Sequence, residues 1–184
     1  MTVTSTTMPP PVVPVAILAV IEAEDAAWNA GDAEAFFEAA TPDVVFTNIV
    51  GMFSVGHAPM VAQHAHIFST IYQGSTLKQT IANLAMVRPD VAIVDTLAEV
   101  SGFKHLPPGA EAIDGVLRTR LEPVMVMDGE RWRVAAFHNV TVDAVAVGGG
   151  LRRSPTASLG GVETPSWLAL ARLHACWHYR QREG

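Results

Sequence analysis

The chain has 184 residues, 49 % of them hydrophobic and 16 % charged, the composition of one globular domain with a sizeable core and some tens of residues besides. That excludes wholesale disorder and coiled coil. A net charge of −6, from 12 Lys and Arg against 18 Asp and Glu, excludes the clustered basic footprint that phosphate binding needs, so nucleic acid is not an expected partner.

The single cysteine, Cys176, cannot form an internal disulfide, and no Cys/His spacing matches a structural zinc site. Residues 1–11, rich in Thr, Ser and Pro, read as a disordered tail. The apolar run Val12 to Val20 lacks a basic region before it, is interrupted by Pro14, and passes directly into Glu22, Glu24 and Asp25, unlike a secretion signal. No stretch reaches the roughly 18 consecutive apolar residues of a membrane span. The expectation is a soluble cytoplasmic protein with no membrane partner.

Ile17, Val20, Ile21 and Trp28 recur at helical spacing among carboxylates, predicting an amphipathic helix that Gly31 ends. Asp32 can cap a short second helix through Ala39, with Pro42 as its stop signal. The β-branched run Val44 to Val50 predicts a strand, followed by a turn or irregular hairpin between Gly51 and Gly56. A third helix is predicted from His57 to Tyr72, with Met60, His64, Ile67, Phe68 and Ile71 on one face and Gly74 as its C-terminal cap.

Extended segments follow at about 77–87, 91–103 and 116–127, separated by Arg88-Pro89-Asp90 and Pro107-Pro108-Gly109. A turn around Asp128-Gly129-Glu130 joins the last of these to a strand from Trp132 to Val142. This order predicts an α+β fold with an antiparallel sheet. No glycine-rich phosphate loop follows a strand, so no nucleotide cofactor is expected.

Composition shifts after Asp143. Residues 1–143 carry 7 Lys and Arg against 16 Asp and Glu, whereas 144–184 carry 5 against 2. We therefore place a domain at 12–143 and assign 144–184 to a linker, through Gly148-Gly149-Gly150, and a C-terminal tail. Pro165-Ser166 can start a helix over 166–180 through Trp167, Leu168, Leu170, Leu173 and Trp177. That tail either docks on the acidic body, stays loose or binds a partner.

Several segments, in order, resemble the SnoaL-like division of the NTF2-like superfamily, and more narrowly its SgcJ/EcaC-type members. They are Ala27-Trp28-Asn29-Ala30-Gly31-Asp32; Gly56-His57 opening a helix with His64, Phe68 and Gly74-Ser75; Arg88-Pro89-Asp90-Val91-Ala92; Asp128-Gly129; and Trp132 through Phe137-His138-Asn139. The resemblance covers roughly residues 15–143. It implies a cone in which a strongly curved antiparallel sheet wraps three helices, a pocket at the open end, and a homodimer through the sheet. Activities known on that scaffold include polyketide cyclisation, steroid isomerisation, dehydration and epoxide hydrolysis, and some members only bind ligands. Fold alone does not choose among them.

The concave face of such a sheet is where polar side chains would meet a small molecule. His64, on the apolar face of the third helix, is a candidate general acid/base or a hydrogen-bonded core histidine. His66, about 200° further round the helix, is expected to be exposed. Asp95, mid-strand in an apolar run, is a candidate base with a raised pKa, although SgcJ-type relatives often have His at this position. Asn48, Tyr72 and Asn139 are candidate ligand contacts with structural alternatives, and His138 must face away from Asn139.

Arg118, Arg120 and Glu122 share one strand face, as a salt-bridge ladder would. Arg118 and Glu122 are nevertheless retained as candidate substrate contacts, with Pro123 disturbing the pairing beside them. No metal is expected, because the one close pair, His64 and His66, is spaced to chelate on a strand but not on a helix. The sequence reading is a cofactor-independent pocket protein for a hydrophobic oxygenated metabolite of polyketide or terpenoid type, with His64 or Asp95 moving a proton. Its alternatives are a non-catalytic ligand-binding or dimerisation module, or an interaction protein working through its tail.

Overall fold

In the computed structural model, residues 13–142 are described; the tail at 1–11, the linker and the helix expected at 166–180 lie outside them. Helix α1 (Val15–Ala30) buries Ile17, Ile21, Glu24 and Ala27 and is ended by Gly31 in the left-handed region at φ 70°, where glycine avoids the Cβ penalty. Asp32 caps α2 by accepting from the Ala35 amide at 3.0 Å, but α2 is one turn only, Ala33–Phe36. Strand β1 already begins at Ala40 and runs to Thr47, so Pro42 lies inside a strand instead of beyond a helix. The register between β1 and its neighbour shifts between Ala40 and Val45, and the proline, which has no amide to donate, occupies that irregularity.

Strand β2 (Phe53–Val55) pairs back on β1 as the far arm of a short hairpin. Helix α3 (His57–Ser69) stops short of Tyr72. The hydroxyls of Ser69 and Thr70 both donate to the His66 carbonyl, at 2.8 and 2.7 Å, taking up a carbonyl that the ended helix leaves free. Strands β3 (Thr76–Arg88), β4 (Val91–Ser101), β5 (Val116–Asp128) and β6 (Arg131–Thr141) then form consecutive antiparallel pairs.

The six strands make one curved sheet in the order β2-β1-β6-β5-β4-β3. One pairing departs from the antiparallel expectation, because β1 runs parallel to β6. These strands are the first and last long ones, and the chain between them has ample length to return in the same direction. On β4 and β5 burial alternates strictly: Ala92, Val94, Thr96, Ala98 and Val100 face the core with Leu117, Thr119, Leu121, Pro123 and Met125. The helices and this concave face enclose an aromatic core that includes Phe36, Phe37, Phe46, Phe68 and Phe137.

Helix α1 is tied to the edge strand β3 by side chains. Asn29 accepts from the Leu77 amide at 2.7 Å and donates to the Leu77 carbonyl at 3.1 Å, while Asp25 accepts from the Gln79 amide at 3.0 Å. Beneath them Gln79 donates to buried Glu24 at 3.1 Å, and the Thr96 hydroxyl lies 3.0 Å from both Gln79 Oε1 and the Leu121 carbonyl.

Candidate functional site

Met60, His64 and Phe68 lie at four-residue spacing on α3, and these three form its buried stripe. The His64 ring is 5 % exposed and sits among phenylalanines: stacked on Phe36 with centroids 5.5 Å apart, edge-on to Phe37 at 4.6 Å and to Phe68 at 5.9 Å. Its Nδ1 lies 3.0 Å from the Met60 carbonyl one turn earlier. A carbonyl only accepts, so Nδ1 carries the proton and Nε2 is a bare acceptor. Burial lowers the His64 pKa from 6.5 to about 4 against the opposing effect of the Met60 hydrogen bond, so the ring is neutral at physiological pH.

A cavity opens beside this ring. Its free space is about 120 Å³, within an envelope of about 850 Å³ that includes the mouth. Helix α1 contributes Trp28, whose Nε1 donates to Ser75 Oγ at 3.0 Å. Phe36, Phe37, Phe46 and Phe137 supply aromatic walls, and Leu117 and Leu121 the aliphatic floor on β5. The polar lining consists of Asn48, Gln63, His64, Tyr72, Thr119 and Asn139; no Asp, Glu, Lys or Arg is among the described residues that line it. Burial pushes the Tyr72 hydroxyl up to about 12, which keeps it a neutral donor and acceptor.

Four of the residues singled out in the sequence therefore meet at one cavity: His64, Asn48, Tyr72 and Asn139. Asn48, one residue past the end of β1, lies beside Asn139 on the adjacent strand β6, since Thr47 pairs with His138. The Asn48 side-chain oxygen is already engaged, accepting from the Val50 amide at 3.1 Å and the Met52 amide at 2.9 Å to shape the loop after β1. By contrast, the Asn139 Oδ1 is buried with no hydrogen-bond partner among the described residues.

The other three do not join them. Asp95, Arg118 and Glu122 lie on the opposite, outer face of the sheet, as the strand alternation requires. There Arg120 Nη1 pairs with Asp95 at 2.8 Å and Arg118 Nε with Glu99 at 2.9 Å. Glu122 is exposed across from His138, and His66 is exposed on α3. Asp95 is thus the partner of a guanidinium and not a base in the cavity.

Gln63, Thr119 and the phenylalanine cage were absent from the sequence-level candidates. Thr119 was within reach, since it lies between Leu117 and Leu121 at a spacing of two. Among the described residues no group of three His, Cys, Asp or Glu side chains is placed to hold a metal ion, and no helix is long and apolar enough to cross a membrane.

No protein-family model matches the chain and no curated protein matches it. Solved structures do. An uncharacterised protein with a cystatin-like fold from Caulobacter vibrioides is 25 % identical, with a TM-score of 0.64 over 73 % of this chain and 92 % of that one. An NTF-2-like protein of unknown function from Shewanella oneidensis matches at 16 % identity and TM-score 0.56, over 68 % of this chain and 97 % of that one. A ketosteroid isomerase-like protein from Erwinia carotovora atroseptica matches at 17 % and 0.54, over 70 % and 95 %. The described domain therefore has the NTF2-like, cystatin-like α+β fold, with a curved six-stranded sheet and three helices.

Proposed function

We propose that the protein binds a small hydrophobic, oxygenated molecule of polyketide or terpenoid type in this cavity, as a SnoaL-like, SgcJ/EcaC-type member of the NTF2-like proteins serving secondary metabolism in the cytoplasm. The observation that carries the reading is a neutral histidine with a bare Nε2 in a largely apolar cavity. In catalysis His64 Nε2 accepts a proton from the bound molecule, or in hydrolysis from an attacking water, and returns it at a second atom or to the leaving group. Such a step needs no cofactor and underlies isomerisation, cyclisation, dehydration and hydrolysis alike.

A second reading, a non-catalytic binding module, is favoured by the same lining: among the described residues no carboxylate stands in the cavity to pair with His64, and its lowered pKa makes it a weak base. In both readings the outer sheet face, with its half-buried Ile93, Leu97, Val124 and two ion pairs, joins two copies into a homodimer.

A thermal-shift screen of the full chain against single-ring phenols, aromatic polyketides, steroids and terpenoid epoxides tests the binding, because a ligand specific for the native state raises the melting temperature. A shift that His64→Ala removes supports the cavity. Turnover of a shifting compound that His64→Phe abolishes selects the enzyme, and binding without turnover selects the module. No shift with any class overturns both.

A further inference from the structure

The polar atoms of the cavity differ in what they can be asked to do. Hydroxyls rotate, so Tyr72 and Thr119 serve a donor or an acceptor. An unpinned amide turns over, so Asn139 can present its oxygen or its nitrogen. His64 Nε2 has no such freedom: it is fixed as an acceptor because the Met60 carbonyl holds the ring proton on the other nitrogen. A ligand that fills the cavity without donating to it would leave that acceptor shut off from water and unpaired, which costs more than an ordinary hydrogen bond gains.

The lining also sets charge and size. With no lysine or arginine among the described lining residues to receive it, a carboxylate would enter unpaired, and with no acidic side chain among them an ammonium would do the same. The free space of about 120 Å³ approaches that of the roughly 150 Å³ apolar cavity known to take benzene. It accommodates one ring, with substituents reaching the mouth. The walls beside His64 are aromatic rings from Phe36, Phe37 and Phe46, which favour an aromatic partner at offset or edge-on geometry.

We propose that the cavity selects a neutral single-ring phenol, whose hydroxyl donates to His64 Nε2. This rests on the cavity being the binding site and narrows its occupant. Ketones, epoxides and ethers, which only accept, are disfavoured at the same ring size. So are multi-ring skeletons, whose volume exceeds the space beside His64.

Isothermal titration of the full chain at pH 7.5 with p-cresol, 4-methylanisole and p-toluate isolates the hydroxyl at constant ring and methyl. The expected result is that p-cresol binds at least tenfold more tightly than 4-methylanisole and that p-toluate does not bind. His64→Phe keeps an aromatic ring in the cage and removes the acceptor; it should bring p-cresol to the affinity of 4-methylanisole or below. If 4-methylanisole or p-toluate binds as tightly as p-cresol, the hydroxyl selection is overturned and the cavity reading stands. If p-cresol and 4-methylanisole both fail to bind, the proposal falls; if a multi-ring compound nevertheless gives a thermal shift lost in His64→Ala, the cavity reading survives without it.

Discussion

The Asp95 carboxylate lies 2.8 Å from Arg120 Nη1, on the face of the sheet turned away from His64. The pair is half exposed, so its strength is screened by water and its loss costs less than about 1 kcal/mol. Asp95→Asn should leave ligand affinity in the cavity unchanged and shift the denaturant midpoint only slightly. Calorimetric titration and urea unfolding of that variant check both statements.

His64 should stay neutral well below the pH at which an exposed histidine charges. Its folded pKa of about 4 lies under the ordinary 6.5, so between these values the unfolded chain binds the proton more readily. The stability this group contributes is present above about pH 6.5 and is lost as pH falls toward 4, a change on the order of 3 kcal/mol. Titration of the ring followed by NMR checks the pKa, and His64→Phe should remove this part of the acid sensitivity.

Glu24 should act in the opposite direction. It is 2 % exposed on α1, and burial raises its pKa from 4.5 to about 8 despite the hydrogen bond from Gln79. Folded chains therefore hold a proton that unfolded chains have released. Stability is full below about pH 4.5 for this group and declines as pH rises to about 8, by several kcal/mol. Since His64 pulls the other way only up to about 6.5, the combined decline should show between pH 6.5 and 8. Urea unfolding across that range should be steeply pH-dependent in the wild type and nearly flat in Glu24→Gln, which keeps a neutral polar group beside Gln79.

If the outer sheet face joins two copies, Leu97→Lys should convert the particle to one chain mass in sedimentation equilibrium with its far-UV circular dichroism unchanged. Leu97 stands there opposite Arg120, so the new charge repels a resident one as well as the facing copy. A wild type that sediments as one chain removes the dimer.

Phe37→Ala should be the most damaging single change near the cavity. Phe37 is 1 % exposed and touches Phe36, His64 and Phe137, and emptying such a site costs about 3–5 kcal/mol. Thermal unfolding measures it.

The sequence carried the helices and long strands because their punctuation is local: Gly31, Asp32 and Asp128-Gly129 act through their own backbone preferences. Gly74 does not cap α3, which ends at Ser69 with Thr70 as its C-cap. The sequence carried His64 because helical spacing with Met60 and Phe68 assigns a face. Asp95 shows where such reading stops. β4 has apolar residues on both faces, so alternation does not say which parity is concave; that depends on pairing with β5 and on which side the helices lie. Pro42 misled for a related reason, since a proline reads equally as a helix stop or a strand irregularity until β6 is beside it. The parallel run of β1 against β6 has no local signal at all, being a contact between segments some ninety residues apart.

Asn29 and Asp25 reach from α1 to the unpaired rim of β3 and occupy the amide of Leu77, its carbonyl and the amide of Gln79. A free sheet edge is a template on which another strand can lay itself down. Here side chains of the first helix imitate a seventh strand for the length of three hydrogen bonds. The start of that edge is thereby closed to a pairing strand from another chain.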